Sequence, residues 1–342
     1  MKSHFRMPPV LDDCNGHPRG AGIEFELGNL SISQVAEALQ KTLGGSQQKQ
    51  SPFEIYLQDT RLGKIKIERD TRFLTSLKYR EWLSMLGIDF SPGADGEKLE
   101  EEVDKLSRWL IPCEIVTQPI PFAELNSLNE MVHVLDHLGA EGTHESLYYA
   151  FGLHINASVP DWESHTLLAY LQSFLLLADW IIEDAQTDVT RRYFTKFIDP
   201  FPQDYVELIL QPSYKPDIHQ LMSDYLQQNP TRNRPLDMLP VFYTLDQNLV
   251  LKAVRKEEKS LIKGRPAFHY RLPDCRLGKK GWSVAAEWNR WQLVETIAND
   301  PALRKRLITA WNKEMASFFS LSHKSNWIEQ MDQVVKDIIR VQ

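Results

Sequence analysis

Hydrophobic and ionisable residues alternate along five short segments of the chain, and this period of two predicts β-strands that bury one face and leave the other open. The predicted strands cover residues 22–27, 63–70, 112–119, 152–157 and 267–272. In the first of them, Glu24 and Glu26 lie on the same face. The other face is apolar and consists of Ile23, Phe25 and Leu27. Such a strand offers one face to a core and the other to solvent or a ligand.

Between the predicted strands, apolar residues recur at the three- and four-residue spacing of amphipathic helices. After the first strand, Ser31 and Gln34 have the spacing of a capping box and Gly44 supplies a stop, so we predict a helix of about three turns. Further helices are predicted over 122–138, 161–185, 218–227 and 287–340. The most apolar run, 167–182, is interrupted by polar residues and is shorter than the roughly 20 residues that span a bilayer. We therefore predict a buried helix there.

These elements predict an α+β fold, because the strands are separated by long helical stretches rather than by regular single helices. An antiparallel-rich sheet with helices on one face fits best, since such a sheet can leave its other face open to solvent. Residues 200–240 are rich in proline and have little strand pattern, so we interpret them as an insertion or lid. Residues 287–342 form a C-terminal helical part.

The open faces of the predicted strands carry many ionisable side chains. They are Glu24, Glu26, Glu68, Asp70, Glu114, His154, His269 and Arg271. So many ionisable groups on one surface would destabilise the fold unless cations or a substrate paired with them. Paired carboxylates on a rigid strand suit Mg²⁺, which prefers oxygen ligands. The pattern therefore favours a metal-dependent enzyme.

Composition and charge narrow the range of partners. The chain of 342 residues is 42% hydrophobic and 25% charged, as in an ordinary soluble protein. Its net charge is −7 and it has no basic tract, so we expect neither nucleic acid nor a membrane as a partner. The three cysteines are far apart, which fits neither a disulfide framework nor a structural zinc site. This use of cysteine favours a reducing cytoplasm, and no signal peptide is evident, so we expect a cytoplasmic protein.

Five short motifs follow one another along the predicted strands. They are Gly-x-Glu-x-Glu at 22–26, an acidic strand ending at Asp70, Glu-Ile-Val-Thr-x-Pro at 114–119, Gly-Leu-His-Ile-Asn at 152–156 and an arginine at 271. In this order and strand phase, the chain resembles the putative amidoligases. These belong to the carboxylate–amine ligase superfamily, which includes glutamate-cysteine ligase and glutamine synthetase. The resemblance covers residues 20–290.

The resemblance implies a single catalytic domain over residues 1–342, with a glutamine-synthetase-like sheet curved around ATP and two or three Mg²⁺ ions. Mn²⁺ could replace Mg²⁺. In such enzymes ATP phosphorylates a carboxylate, and an amine then displaces phosphate to form an amide or peptide bond. The acyl phosphate supplies the leaving group that a carboxylate lacks, and Mg²⁺ offsets the charge on the phosphoryl group. The expected partners are a small-molecule or peptide carboxylate and an amine, and the resemblance allows an oligomer.

The resemblance also assigns metal ligands. Glu24 and Glu26 match those of the first strand and Glu114 matches the third. Asp70 matches the acidic position of the second strand, and His154 matches a histidine that binds metal or contacts the nucleotide.

Arg271 matches the arginine that stabilises phosphoryl charge, a role that its planar donors suit. Two residues earlier the family usually has glutamate, whereas this chain has His269. Histidine can still bind a metal, but a neutral ligand lowers the negative charge of the site and can shift its metal preference. Arginines that bind nucleotide or substrate lie in the middle of the chain, where Arg192, Arg232 and Arg265 all qualify and the choice stays open.

Other interpretations of these residues and of the function stay open. Glu68 and Asp70 could be surface charges paired with Lys64 and Lys66, and His269 could be a structural hydrogen-bond partner. A metal-dependent amide hydrolase would use the same face with a metal-bound water and no nucleotide. A catalytically inactive scaffold that keeps the fold is the alternative that is not an enzyme.

Overall fold

The computed structural model describes residues 4–69, 112–142, 151–186, 198–316 and 323–341. Two of the predicted site residues, Asp70 and Arg192, lie outside these ranges. The described residues form a mixed α/β fold around a large antiparallel sheet.

Nine strands in the described residues form one sheet, and every pairing between them is antiparallel. They are β1 (Gly20–Leu27), β2 (Ser46–Ser51), β3 (Glu54–Thr60), β4 (Gly63–Arg69), β5 (Cys113–Thr117), β6 (Ile120–Pro121), β7 (Leu153–Ala157), β8 (Leu236–Asp237) and β9 (His269–Tyr270). The order across the sheet is β2-β3-β4-β5-β1-β7-β9-β8, and β6 pairs with the start of β1. The predicted antiparallel sheet is confirmed, with β1 between β5 and β7.

Ten α-helices in the described residues share one buried core with the apolar side of the sheet. They are α1 (Ile32–Leu43), α2 (Leu128–His137), α3 (Ser164–Ala185), α4 (Gln203–Ile209), α5 (Ile218–Gln228), α6 (Leu239–Leu245), α7 (Gln247–Ala253), α8 (Val284–Ala298), α9 (Pro301–Met315) and α10 (His323–Val341). Tyr170 of α3 stacks on Phe268 with the ring centroids 4.6 Å apart. Trp291 of α8 lies 5.5 Å from the ring of Tyr270. These contacts hold α3 and α8 against the end of the sheet that carries β9.

Four of the predicted strands match β1, β4, β5 and β7, but the fifth is shorter than predicted. Only His269 and Tyr270 of the segment 267–272 form a strand. Ile155 pairs with Tyr270, whereas Gly152 pairs with Asp274, so the register changes by one residue between these pairs. This shift interrupts the regular ladder. The alternation pattern also missed β2 and β3.

Residues 200–240 contribute to both the core and the sheet. β8 pairs with β9 and places Asp237 opposite His269. Tyr205 of α4 and Tyr225 of α5 are fully buried, with ring centroids 5.8 Å apart in an edge-to-face arrangement. The segment thus packs against the rest of the described chain and brings a carboxylate to the sheet.

The helix predicted over 161–185 is confirmed as α3, which contains the apolar run 167–182. The apolar run alone is shorter than a bilayer span, but the whole of α3, with 22 residues, could cross a membrane by length and composition. Of its most apolar 18-residue window, 72% is buried inside the protein. Its polar residues are also satisfied there, since the Gln172 amide donates to the Ile209 carbonyl at 2.9 Å. These features are typical of a core helix.

A buried ion pair joins the start of β1 to α8. The guanidinium of Arg19 donates to both carboxylate oxygens of Glu295, at 3.0 Å from Nη1 and 2.8 Å from Nη2. Both side chains are fully buried. The Tyr170 hydroxyl donates to Glu295 Oε2 at 2.6 Å, and the Ser158 carbonyl accepts from Arg19 Nε and Nη2. This network connects the sheet to the helices that cover it.

The capping box predicted for α1 is confirmed and gives a stability prediction. Ser31 Oγ accepts from the Gln34 amide at 3.2 Å, and Gln34 Oε1 accepts from the Ser31 amide at 3.0 Å. Replacing Ser31 with Ala should lower the free energy of unfolding by about 1 kcal/mol, because the first turn loses this acceptor. Urea denaturation measures the change. The matched control is Ser33→Ala, at an exposed position inside the same helix. Equal effects of the two substitutions would contradict the capping role.

Candidate functional site

The open face of the sheet brings together residues from β1 and its two neighbours. In the register, Glu24 lies opposite His154 on β7, and Glu26 lies opposite Glu114 on β5. Directly opposed residues of antiparallel strands project from the same face, so these four side chains share one surface. The intervening residues of β1, including Phe25, are fully buried on the other face. The strand phase predicted from the sequence is confirmed.

Glu24 lies at the centre of a dense group of polar contacts. Its Oε2 atom is 3.2 Å from Nδ1 of His154. Its Oε1 atom accepts from the side-chain amide of Asn156 at 2.9 Å and from Nη1 of Arg265 at 2.8 Å. Burial raises the pKa of the Glu24 carboxyl, but the hydrogen bond with His154 and the nearby basic groups hold that pKa well below its usual value. Glu24 is therefore an ionised carboxylate although it is only 8% exposed.

Glu26 is the more accessible of the two carboxylates on β1. Its Oε2 atom accepts from the Gly152 amide at 2.6 Å, which fixes one side of the group. Its Oε1 atom lies 4.0 Å from Nε2 of His154. The imidazole of His154 therefore lies between the carboxylates of Glu24 and Glu26, and Glu26 keeps 28% of its side chain exposed. An incoming ligand can reach Glu26 from the open face.

His269 is buried beside this group and is held by a second carboxylate. Its Nδ1 atom is 3.2 Å from Oδ2 of Asp237, whose Oδ1 atom accepts from the Leu239 amide at 2.9 Å. Its Nε2 atom is also buried and has no hydrogen-bond partner among the residues that the structure describes. Burial lowers the pKa of His269 to about 4, against the opposing effect of Asp237, so the ring is neutral at neutral pH.

Glu24, His154 and His269 form a group that could hold a metal ion. One ligand atom from each residue lies within 4.8 Å of the other two. The rings of His154 and His269 meet edge to face with centroids 5.2 Å apart. Two imidazoles and a carboxylate are a common donor set for divalent metals. His269, which was assigned from the sequence to a position usually held by glutamate, lies within this group.

A row of carboxylates continues from Glu26 towards β3. Glu26 is opposite Glu114, Glu114 is opposite Glu68, and Glu68 is opposite Glu54. Lys66 lies 2.6 Å from Glu68 and 3.4 Å from Glu54. These contacts favour the interpretation of Glu68 as a charge paired on the open face. Glu26 and Glu114 are neighbours beside the candidate metal group of Glu24, His154 and His269 but are not members of it.

The predicted arginines differ in their surroundings. Arg265 is in direct contact with Glu24 and also donates to Oδ1 of Asn156 at 2.8 Å, with 34% of its side chain exposed. Arg271 follows β9 and donates to the main-chain carbonyl of Arg232 at 2.6 Å. The structure therefore places Arg265 in the centre of the site. It places Arg232 next to Arg271 through the main chain.

Two residues of the site, Asn156 and Asp237, were missed as candidates. Asn156 lies two residues after His154, so the period of two that identified His154 also places Asn156 on the open face. Asp237 had no such signal, because it lies in a stretch without alternation and 32 residues before His269.

A cavity of about 630 Å³ is lined by residues other than Glu24, His154 and His269. Its walls come from the C-terminal end of α3, the N-terminal end of α8 and α10, and they include Trp180, Trp282 and Lys336. No site residue that the structure describes lines this cavity. The candidate chemistry therefore lies on the open face of the sheet.

Comparison with known proteins identifies a family. Residues 17–293 match the model of a family described as putative amidoligase enzyme. The matched range contains β1, β7, β8 and β9 and hence the whole group around Glu24. No curated protein and no solved structure matches the chain.

Proposed function

The chain belongs to the putative amidoligase enzyme family, and from this premise we propose that it is an ATP- and Mg²⁺-dependent carboxylate–amine ligase. Family membership supports a ligase-type enzyme. The observation that carries the finer proposal is the position of Glu24, an ionised carboxylate in contact with both His154 and Arg265. A site that combines metal-binding side chains with an arginine suits the transfer of a phosphoryl group.

The residues on the open face fit divalent cations. His269, whose buried Nε2 atom has no partner among the described residues, belongs to the same group as Glu24 and His154. Glu26 and Glu114, opposite each other, offer the oxygen atoms that Mg²⁺ prefers. When bound, such cations offset the negative charge of ATP and of the transferring phosphoryl group. The same cations would remove the repulsion among the carboxylates of this face.

The arginines supply the remaining positive charge. In the proposed first step, the substrate carboxylate attacks the γ-phosphorus of ATP, the bond to the bridging oxygen breaks, and ADP leaves. In this proposal Arg271 and Arg265 donate to the phosphoryl oxygens, whose charge is spread over three atoms in the transition state. Arg232, next to Arg271, is a further candidate for contact with the nucleotide or substrate. Their planar donors suit this role.

In the proposed second step, the amine attacks the acyl carbon, phosphate leaves, and the amine loses a proton. In this proposal a carboxylate of the site such as Glu26, whose side chain is 28% exposed, accepts that proton. The products are an amide or peptide, ADP and inorganic phosphate. The proposal includes a glutamine-synthetase-like sheet, a cytoplasmic location and substrates that are a small-molecule or peptide carboxylate and an amine.

A second candidate function has one observation in its favour. Two histidines and one glutamate are also the metal ligands of zinc hydrolases that keep an open position for water. A metal-dependent amide hydrolase would use Glu24, His154 and His269 without any nucleotide.

An assay with pools of substrates separates these functions. The purified chain is incubated with ATP, Mg²⁺ and pools of amino acids, polyamines and small peptides, and the mixture is analysed by mass spectrometry. A ligase releases phosphate and forms a product that is lighter by one water than its two substrates. Amide cleavage without ATP would instead identify the hydrolase. Tight ATP binding with neither reaction would identify a scaffold.

A further inference from the structure

We propose that Glu24, His154 and His269 bind a first-row transition-metal ion in preference to Mg²⁺, and that Asp237 is the positioning residue that orients His269 towards it. This inference deepens the proposed function, since it concerns an ion in the same site. It can nevertheless be tested without turnover. A ligase of this type would carry Mg²⁺ with its nucleotide and a different metal at the histidines.

The donor set of the group favours a transition-metal ion over Mg²⁺. The group supplies two imidazole nitrogens and one carboxylate. Mg²⁺ prefers oxygen ligands and gives up its water reluctantly, whereas imidazole suits Zn²⁺, Fe²⁺ and Co²⁺. Affinity for such nitrogen-containing sites rises from Mn²⁺ through Fe²⁺ and Co²⁺ along the transition series. A histidine at position 269 thus changes the class of metal that the site favours.

The contact with Asp237 orients the ring of His269 so that Nε2 is available to a metal ion. Because the carboxylate of Asp237 lies 3.2 Å from Nδ1, a ring N–H belongs on Nδ1, where it can donate to Oδ2. The lone pair is then on Nε2, which is buried and unpartnered among the described residues. Metal-binding histidines usually donate their other N–H group to a carboxylate or carbonyl, which fixes the tautomer and the ring. Asp237 is itself fully buried and fixed by the Leu239 amide.

Glu24 and His154 are close enough to each other to bind the same ion. Glu24 Oε1 is committed to Arg265 and Asn156, which leaves Oε2 for the metal. That oxygen is 3.2 Å from His154 Nδ1. Two ligands of one ion, each about 2.1 Å from it, lie roughly 3.0–3.4 Å apart in tetrahedral or octahedral geometry. The two atoms are hydrogen-bonded to each other, and the same distance matches the spacing of two ligands of a single ion.

The test measures metal binding to the full chain without nucleotide. The protein is stripped with chelator and titrated with Mg²⁺, Co²⁺ and Zn²⁺ by calorimetry, and Co²⁺ binding is also followed by its visible absorption. We expect Co²⁺ and Zn²⁺ to bind at least about 100-fold more tightly than Mg²⁺. The histidines of α2 at positions 133 and 137, whose rings lie 4.0 Å apart, are a possible surface site for the same ions. All titrations are therefore repeated with His133→Gln.

Two substitutions assign the binding to the proposed residues. His269→Glu should reduce the preference for Zn²⁺ over Mg²⁺ by at least about tenfold, because the site becomes richer in oxygen. Asp237→Asn should weaken Co²⁺ binding by about 10- to 100-fold, because the amide no longer fixes the Nδ1 proton. The matched control for His269→Glu is His219→Glu, at an exposed position on α5. It should change the affinity for neither Zn²⁺ nor Mg²⁺. Circular dichroism checks that each variant is folded.

Several results would overturn the inference. They are Mg²⁺ binding as tight as that of Zn²⁺, Co²⁺ binding that disappears in His133→Gln, an unchanged metal preference in folded His269→Glu, and an unchanged Co²⁺ affinity in folded Asp237→Asn. Selective Zn²⁺ and Co²⁺ binding in a protein that shows no ligase activity would support this inference and overturn the proposed function. Ligase activity without selective Zn²⁺ and Co²⁺ binding would support the proposed function and overturn this inference.

Discussion

Replacing Glu24 with Gln is expected to lower the rate of ATP-dependent amide formation by about 100- to 1000-fold, the range seen when a group that stabilises transition-state charge is removed. Gln keeps the shape of the side chain but removes the negative charge that Arg265 and a bound cation would share. Glu24 makes direct contacts with His154, Asn156 and Arg265, so the loss affects the whole centre of the site. Phosphate release and product mass measure the effect.

The matched control is Glu37→Gln, on the exposed side of α1. It removes the same charge from the protein but lies outside the site, so turnover should be unchanged. In the double variant with Gln at positions 24 and 26, Mg²⁺-dependent binding of ATP should also be lost, because both carboxylates of β1 are removed. Surviving turnover in the double variant would show that the metal ligands have been assigned to the wrong residues.

The second large effect is on stability. Glu295→Ala is expected to lower the free energy of unfolding by about 3–5 kcal/mol, because it leaves the charge of Arg19 buried without its partner. Arg19 is fully buried, and Glu295 also accepts from the Tyr170 hydroxyl and from the indole nitrogen of Trp291 at 3.1 Å. Several buried donors would lose their acceptor at once. Urea denaturation followed by circular dichroism measures the change.

The control removes both charges together. A double variant with Arg19→Met and Glu295→Leu should be less destabilised than Glu295→Ala, because no uncompensated charge remains in the core. If the loss of unfolding free energy in the double variant equals the sum of the losses in Arg19→Met and Glu295→Leu measured singly, the destabilisation comes from lost packing rather than from an unpaired buried charge.

The local parts of this fold could be predicted from the sequence. β1 follows from alternation, and α1 follows from its cap and its apolar stripe, because both signals depend only on neighbouring residues. β2 could not be predicted in this way. Its residues, Ser46–Ser51, are polar and almost entirely exposed, so alternation is absent and the strand exists through its pairing with β3.

The site could be predicted in part, because alternation along a strand depends only on neighbouring residues. Strand phase placed Glu24, Glu26 and His154 on one face, but it does not reveal that β1 lies between β5 and β7. That order depends on pairings between distant segments. The carboxylate that holds His269 could not be predicted from the residue pattern. Asp237 belongs to a two-residue strand whose position depends on its pairing with β9. Residue patterns thus identified the chemistry of the face but not the contacts that orient it.

The most direct test of the proposed ligase follows an oxygen atom. The carboxylate substrates in the pool are labelled with ¹⁸O, the reaction is run with ATP and Mg²⁺, and the inorganic phosphate is analysed by mass spectrometry. If the carboxylate is phosphorylated before the amine attacks, an oxygen of the carboxylate leaves with the phosphate, and the account predicts ¹⁸O-labelled phosphate in proportion to product. Product formed together with unlabelled phosphate would contradict it.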